Sequence, residues 1–145
     1  MRNMKALYKA KATATGGRNG SVSTEDGTLD FDLSIPKELG GSGGDGANPE
    51  QFFAAGYSAC FGSALAHVAR SKKVDLGDYT VTATVKIGKN KEDLFQLAVV
   101  LDCYLPTVDI KQGEKLVNEA HEVCPYSRAT KDNIDVTLNL LIDED

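Results

Sequence analysis

The chain predicts an α+β fold in which antiparallel sheets pack against two helices and a second copy of the chain completes the core. Three observations carry that expectation. Apolar residues alternate at a spacing of two in short segments bounded by turn residues. Two other stretches repeat their apolar residues at helical spacing instead. The segments follow the order β-β-α-β-β-α-β, which suits antiparallel sheets. At 145 residues, with no repeat or linker, residues 1–145 are expected to form a single domain.

The elements follow in order. Tyr8 to Thr15 alternates weakly and reads as a strand, and Gly16-Gly17-Arg18-Asn19-Gly20 is a turn in which glycine supplies positive φ. Leu29, Phe31 and Leu33 alternate with Asp30, Asp32 and Ser34, a half-buried strand. Pro36 to Asn48 is a glycine-rich loop. It lacks the Gly-Lys-Ser/Thr ending of a phosphate loop, and Asp45 would repel phosphate. Asn48, Pro49 and Gln51 then open a helix as cap, first residue and capping-box partner, and Glu50 suits the dipole of its first turn. This helix runs to about Ser71. Tyr79 to Ile87 and Phe95 to Leu105 alternate as two strands, with Lys89 to Asp93 as their hairpin connection. A second helix spans Asp109 to Cys124 and stops at Pro125. Ile134 to Ile142 is the last strand.

Composition narrows the function. A net charge of −5 offers no basic patch for nucleic acid and argues against an anionic membrane as partner. The start Met1-Arg2-Asn3-Met4-Lys5 has no apolar stretch behind it and argues against secretion. Three cysteines are too few for a disulfide framework, so a reducing cytoplasm is expected. Gln51 to Ala69 is uncharged, but its Ala, Gly, Ser and aromatic content suits a helix buried in protein better than one in lipid. That helix is apolar nearly all round. One sheet cannot cover it, so an intimate homodimer is expected.

Cys60 and Cys124 are the chemical candidates. Cys60 falls mid-helix among Tyr57, Ala59, Phe61 and Ala64. Cys124 falls at a helix C-terminus, where the dipole disfavours a thiolate. The inequality suggests that Cys60 attacks and Cys124 closes a disulfide, as peroxidatic and resolving thiols do. The competing reading is two buried, inert core cysteines. Arg18, a permanent cation in a glycine turn, is the candidate for holding Cys60 as a thiolate. Glu50 could orient Arg18 through a bidentate pair. The alternatives are an exposed turn arginine and a dipole-favoured first-turn glutamate. Glu50 and Cys60 stand ten positions apart, roughly 15 Å along a helix. The Glu50 serving a given Cys60 is therefore expected from the other subunit.

Cys103 reads as packing on the inward face of a strand. His121 and Cys124, or Cys60 and His67, share helical faces, but no Cys-x-x-Cys or His-x-x-x-His spacing supports a metal site. Ser58 and Ser63 lack the Gly-x-Ser-x-Gly elbow of a serine hydrolase. Two other functions stay open on these residues: a fatty-acid binding module with inert thiols, and a thiol or Cys/His metal sensor.

Several stretches together carry a resemblance. They are Lys5-Ala-Leu-Tyr8, Ala14-Thr-Gly-Gly-Arg18, Pro36-Lys-Glu-Leu-Gly-Gly41, Asn48-Pro-Glu-Gln51, Phe53-Ala-Ala-Gly-Tyr-Ser-Ala-Cys-Phe61, Val123-Cys-Pro-Tyr-Ser127 and Asn133-Ile-Asp-Val136. The chain resembles the organic hydroperoxide resistance proteins, the Ohr branch of the Ohr/OsmC family. The resemblance implies an OsmC-like fold with long central helices and an interlaced homodimer with active sites at the subunit interface. It implies a peroxidase with no metal, haem or other bound cofactor. Cys60 is then peroxidatic and Cys124 resolving, Arg18 activates the thiolate, Glu50 orients Arg18, and Tyr126 helps to place the arginine. A dithiol such as dihydrolipoamide, carried on a lipoylated protein, is the implied reductant. Phe52, Phe53, Tyr57 and Phe61 make the surroundings apolar, which favours an alkyl or fatty-acid hydroperoxide over hydrogen peroxide, and Phe52, Phe53, Tyr57 and Tyr126 are the expected pocket residues. Arg128 departs from the family pattern, which commonly has a small polar residue there, and brings an extra cation near Cys124.

Overall fold

In the computed structural model, which describes residues 3–142, the alternating segments become two three-stranded sheets. The chain divides after Pro49 into two compact units, each with one sheet.

In the first unit, β1 (Ala12–Thr15), β2 (Ser21–Thr24) and β3 (Asp30–Asp32) pair antiparallel in that order. The β1–β2 turn contains one 3-10 turn, Gly17–Asn19, which displays Arg18. Gly16 has φ 77° and Gly17 φ 57°, and a Cβ on Gly20 would overlap the Thr15 carbonyl oxygen. This tight geometry excludes side chains and leaves Arg18 half-buried at its centre. Two expectations shift here. The first strand starts at Ala12 rather than Tyr8, because its partner strand ends as the chain turns at Glu25–Gly27. Leu7 and Tyr8 stay exposed. β2 was not anticipated: Val22 is its one large apolar residue, and ladder bonds to both neighbours make it a strand. Beyond β3, Leu33 bridges to Ala47 and closes the glycine-rich loop.

The second unit contains α1 (Pro49–Ser71), β4 (Thr80–Lys89), β5 (Phe95–Tyr104), α2 (Ile110–Val123), α3 (Pro125–Thr130) and β6 (Val136–Leu141). β4 and β5 form the expected hairpin, in register from Thr80↔Tyr104 to Lys89↔Phe95. Asn90 Oδ1 shapes its turn by accepting the Glu92 and Leu94 N–H groups at 2.9 and 3.2 Å. The α+β class holds, with one correction to the all-antiparallel sheets: β6 runs parallel to β5. The chain returns through α2 and α3, and such a helical crossover brings a strand back in the same direction.

Asp109 caps α2, its carboxylate accepting the Gln112 N–H at 2.8 Å. Leu116, Val117 and Ala120 of α2 meet Tyr57, Phe61, Leu65 and Val68 of α1 and Val99, Leu101, Cys103 and Leu105 of β5 in one core. Each fully buried large side chain contributes about 1.5–3 kcal/mol. By length and composition α1 could cross a membrane, but here it sets one face into this core. α3 was also unanticipated. Pro125 does end α2, yet it also occupies the first position of a new helix, where its missing N–H costs nothing.

Candidate active site

Both thiol candidates come from the second unit. Cys60 lies in α1, partly accessible, and Cys124 is fully buried at the α2–α3 junction. Their sulfurs stand 3.5 Å apart, and both are reduced. A disulfide needs about 2.05 Å between sulfurs, so a small approach would join them.

The junction explains how Cys124 reaches α1. A residue before proline favours extended backbone, and Cys124 adopts φ −62° and ψ 124°. Its N–H donates to the Ala120 carbonyl at 2.8 Å, closing α2, and its carbonyl accepts the Arg128 N–H at 2.9 Å, opening α3. The residue thus caps two helices. Placing it only at a negative helix end therefore needs correction, because the start of α3 adjoins it as well.

Around Cys60 the physical pulls oppose one another. Burial pushes its thiol above the ordinary range, and the neighbouring Cys124 adds to this through hydrogen bonding and charge. The Tyr126 backbone N–H, donated to the Cys60 sulfur, pulls the other way. Cys103 differs in kind. It lies wholly inside the core on β5, and burial together with the Asp102 charge pushes it up to about 12. Such a thiol stays protonated and inert, in keeping with a packing role.

Aromatic rings pack together on the helices that carry the thiols. Phe53, Tyr57 and Tyr126 form a triangle with centroid separations of 5.7, 6.1 and 5.7 Å. Gly56 makes it possible: a Cβ there would lie 3.0 Å from the Tyr126 hydroxyl. Phe52 is half-buried, one residue and so about 100° round the helix from Phe53. The triangle thus contains three of the four expected pocket residues.

Beneath it runs a buried polar network that sequence reading missed. The Tyr57 hydroxyl lies 2.8 Å from Ser127 Oγ and 3.2 Å from Thr130 Oγ1. Ser127 Oγ also lies 2.8 Å from His121 Nδ1. Ser127 is 1% exposed. His121 is half-buried. Burial lowers its pKa first and Lys131 lowers it further, while Glu122 opposes them. A signal was present in the sequence. Tyr57 stands three residues before Cys60, and His121 and Ser127 stand three residues either side of Cys124.

Arg18 sits in the glycine turn of the first unit, and Glu50 is half-buried in the first turn of α1. Among the described residues, no group of three or more His, Cys, Asp or Glu side chains is arranged to hold a metal ion.

Comparison with known proteins agrees with this architecture. The family described as OsmC-like protein matches residues 41–139. An organic hydroperoxide resistance protein of Xanthomonas axonopodis pv. citri is 51% identical over 137 residues, 94% of this chain and 96% of that protein. The crystal structure of an organic hydroperoxide resistance protein from Elizabethkingia anophelis superposes with a TM-score of 0.91 at 51% identity. That alignment covers 97% of this chain and 100% of that one. OhrB of Bacillus subtilis gives a TM-score of 0.87 at 45% identity, covering 93% and 99%. The chain belongs to the OsmC-like family, in its organic hydroperoxide resistance branch.

Proposed function

We propose that the protein is a thiol peroxidase that reduces organic hydroperoxides, alkyl or fatty-acid, to alcohols. The observation that carries this reading is the reduced Cys60–Cys124 pair at 3.5 Å, one sulfur partly accessible and the other buried. The Cys60 thiolate attacks the outer peroxide oxygen, and the O–O bond breaks. One proton taken up by the alkoxide gives the alcohol, and Cys60 becomes a sulfenic acid. Cys124 then condenses with the sulfenic acid, releasing water and forming the disulfide.

A thiol raised by burial needs a cation before it can act at neutral pH. Arg18 is assigned that role, with Glu50 of the second subunit of a homodimer orienting it. In this reading residues 1–145 act as one domain. The guanidinium also donates hydrogen bonds to the peroxide as charge develops on the leaving oxygen. Phe53, Tyr57 and Tyr126, with Phe52 beside them, receive the apolar tail, which gains by leaving water. A dithiol of the lipoyl type, carried on a lipoylated protein in a reducing cytoplasm, reopens the disulfide by exchange.

The test is a thiol count on reduced protein mixed with cumene hydroperoxide. Two thiols per chain should disappear with one equivalent of cumyl alcohol, leaving the Cys103 thiol. Cys60→Ser should abolish both losses. Retention of all three thiols would sink the reading.

A further inference from the structure

The aromatic triangle and the two sulfurs account for the proposed chemistry without the buried polar network, so the network needs a role of its own. Its hydrogen bonds fit one direction. Thr130 Oγ1 donates to the Ser127 carbonyl at 3.1 Å. Its lone pairs then accept the Tyr57 O–H. The Tyr57 oxygen accepts the Ser127 O–H, leaving Ser127 Oγ to accept from His121 Nδ1–H. Every hydroxyl donates once, and no buried side-chain N or O atom among the described residues lacks a partner.

The geometry points to Ser127 as the positioning residue for disulfide closure. Its one hydroxyl ties Tyr57, a helical turn before Cys60, to His121, a turn before Cys124, and so holds the two sulfurs at contact. Ser127 lies on α3, Tyr57 on α1 and His121 on α2, so all three helices meet at this oxygen. Cys124 has extended backbone, so α2 and α3 are not one continuous helix, and the Ser127 hydroxyl bridges the break between them. Closure needs the Cys124 sulfur to reach the sulfenic sulfur before a second peroxide does. Misplacement by about 1 Å can cost on the order of 100-fold in rate. The first step, attack by the Cys60 thiolate with Arg18 beside it, does not involve Cys124 and so does not require the clamp. This inference rests on the thiol-peroxidase reading and assigns Ser127 to its second step.

The test is single-turnover oxidation of Ser127→Ala by cumene hydroperoxide, following peroxide consumption, thiol loss and the mass of Cys60. Peroxide consumption should stay within about twofold of wild type. Disulfide closure should slow by about 10–100-fold. Cys60 sulfinic acid, formed when the waiting sulfenic acid meets a second peroxide, should then appear at lower peroxide excess. The disulfide should also become easier to reduce, a tenfold loss in its equilibrium with a dithiol being about 30 mV.

A second pair of variants guards against misfolding. His121→Leu removes the donor to Ser127 and should slow closure, whereas His121→Asn keeps an N–H near Nδ1 and should restore it. Wild-type closure in folded Ser127→Ala and His121→Leu would overturn the proposal, as would equal slowing of both steps. Failure of the wild-type protein to lose two thiols would instead sink the peroxidase reading beneath it.

Discussion

A thiol acts as a nucleophile only as its anion, and at Cys60 the surroundings pull both ways. Burial and Cys124 raise its pKa, while the Tyr126 N–H lowers it. A shift follows for the pH profile of Cys60 alkylation, whose inflection marks the thiol pKa. Arg18→Ala removes the proposed cation, so the inflection should move to higher pH with slower reaction at pH 7. An unchanged profile in Arg18→Ala would remove that arginine from the site. The two cysteines could be picked out from the sequence because each stood in an apolar helical context. The spacing of Ser127 and His121 three residues either side of Cys124 was legible as well, but not their bond to each other and to Tyr57, because a hydroxyl or an imidazole on a helix is as readily solvated as paired until burial shows its partner.

At the scale of elements, the close approach of α3 to α1 depends on a missing side chain. A methyl at Gly56 would press on the Tyr126 ring, with 3.0 Å to its hydroxyl and 3.1 Å to Cε2. Alanine in mid-helix gains about 1 kcal/mol over glycine in propensity. Crowding in a packed core costs about 1–3 kcal/mol. Tyr126 is 39% exposed and can swing outward, so the cost falls at the low end of that range. Gly56→Ala should therefore leave stability within about 1 kcal/mol of wild type, read by denaturant titration. The displaced ring should show instead as a KM for cumene hydroperoxide raised several-fold. A fully preserved KM would take Tyr126 out of the pocket. The elements that sequence reading found carry their own signal: the capping run and uncharged length of α1, and the periodicity of α2, β4, β5 and β6. Those it missed have none. β2 is a strand through its neighbours, and α3 is six residues behind a proline that reads as a stop. The parallel pairing of β6 was hidden too, since alternation reports a strand's faces and not its direction.

At the scale of the molecule, the proposed mechanism makes each active site a joint product of two subunits. The helical rise puts Glu50 about 15 Å from Cys60 along their shared helix, too far for one arginine to serve both within one chain. The proposed homodimer removes the difficulty, with Glu50 of one copy orienting the arginine beside Cys60 of the other. Complementation reads this out directly. Glu50→Gln should lower turnover because Arg18 loses its orienting partner, and Cys60→Ser should be inactive. A heterodimer of the two unites the intact Cys60 of the first chain with the intact Glu50 of the second. It should recover close to half of the wild-type activity per dimer, since one of its two sites is complete. If Glu50 instead acted within its own chain, the intact Cys60 would still face the substituted glutamine, and mixing would restore nothing. Mixed and unmixed samples at equal protein concentration, assayed with cumene hydroperoxide and dihydrolipoamide, separate the two arrangements.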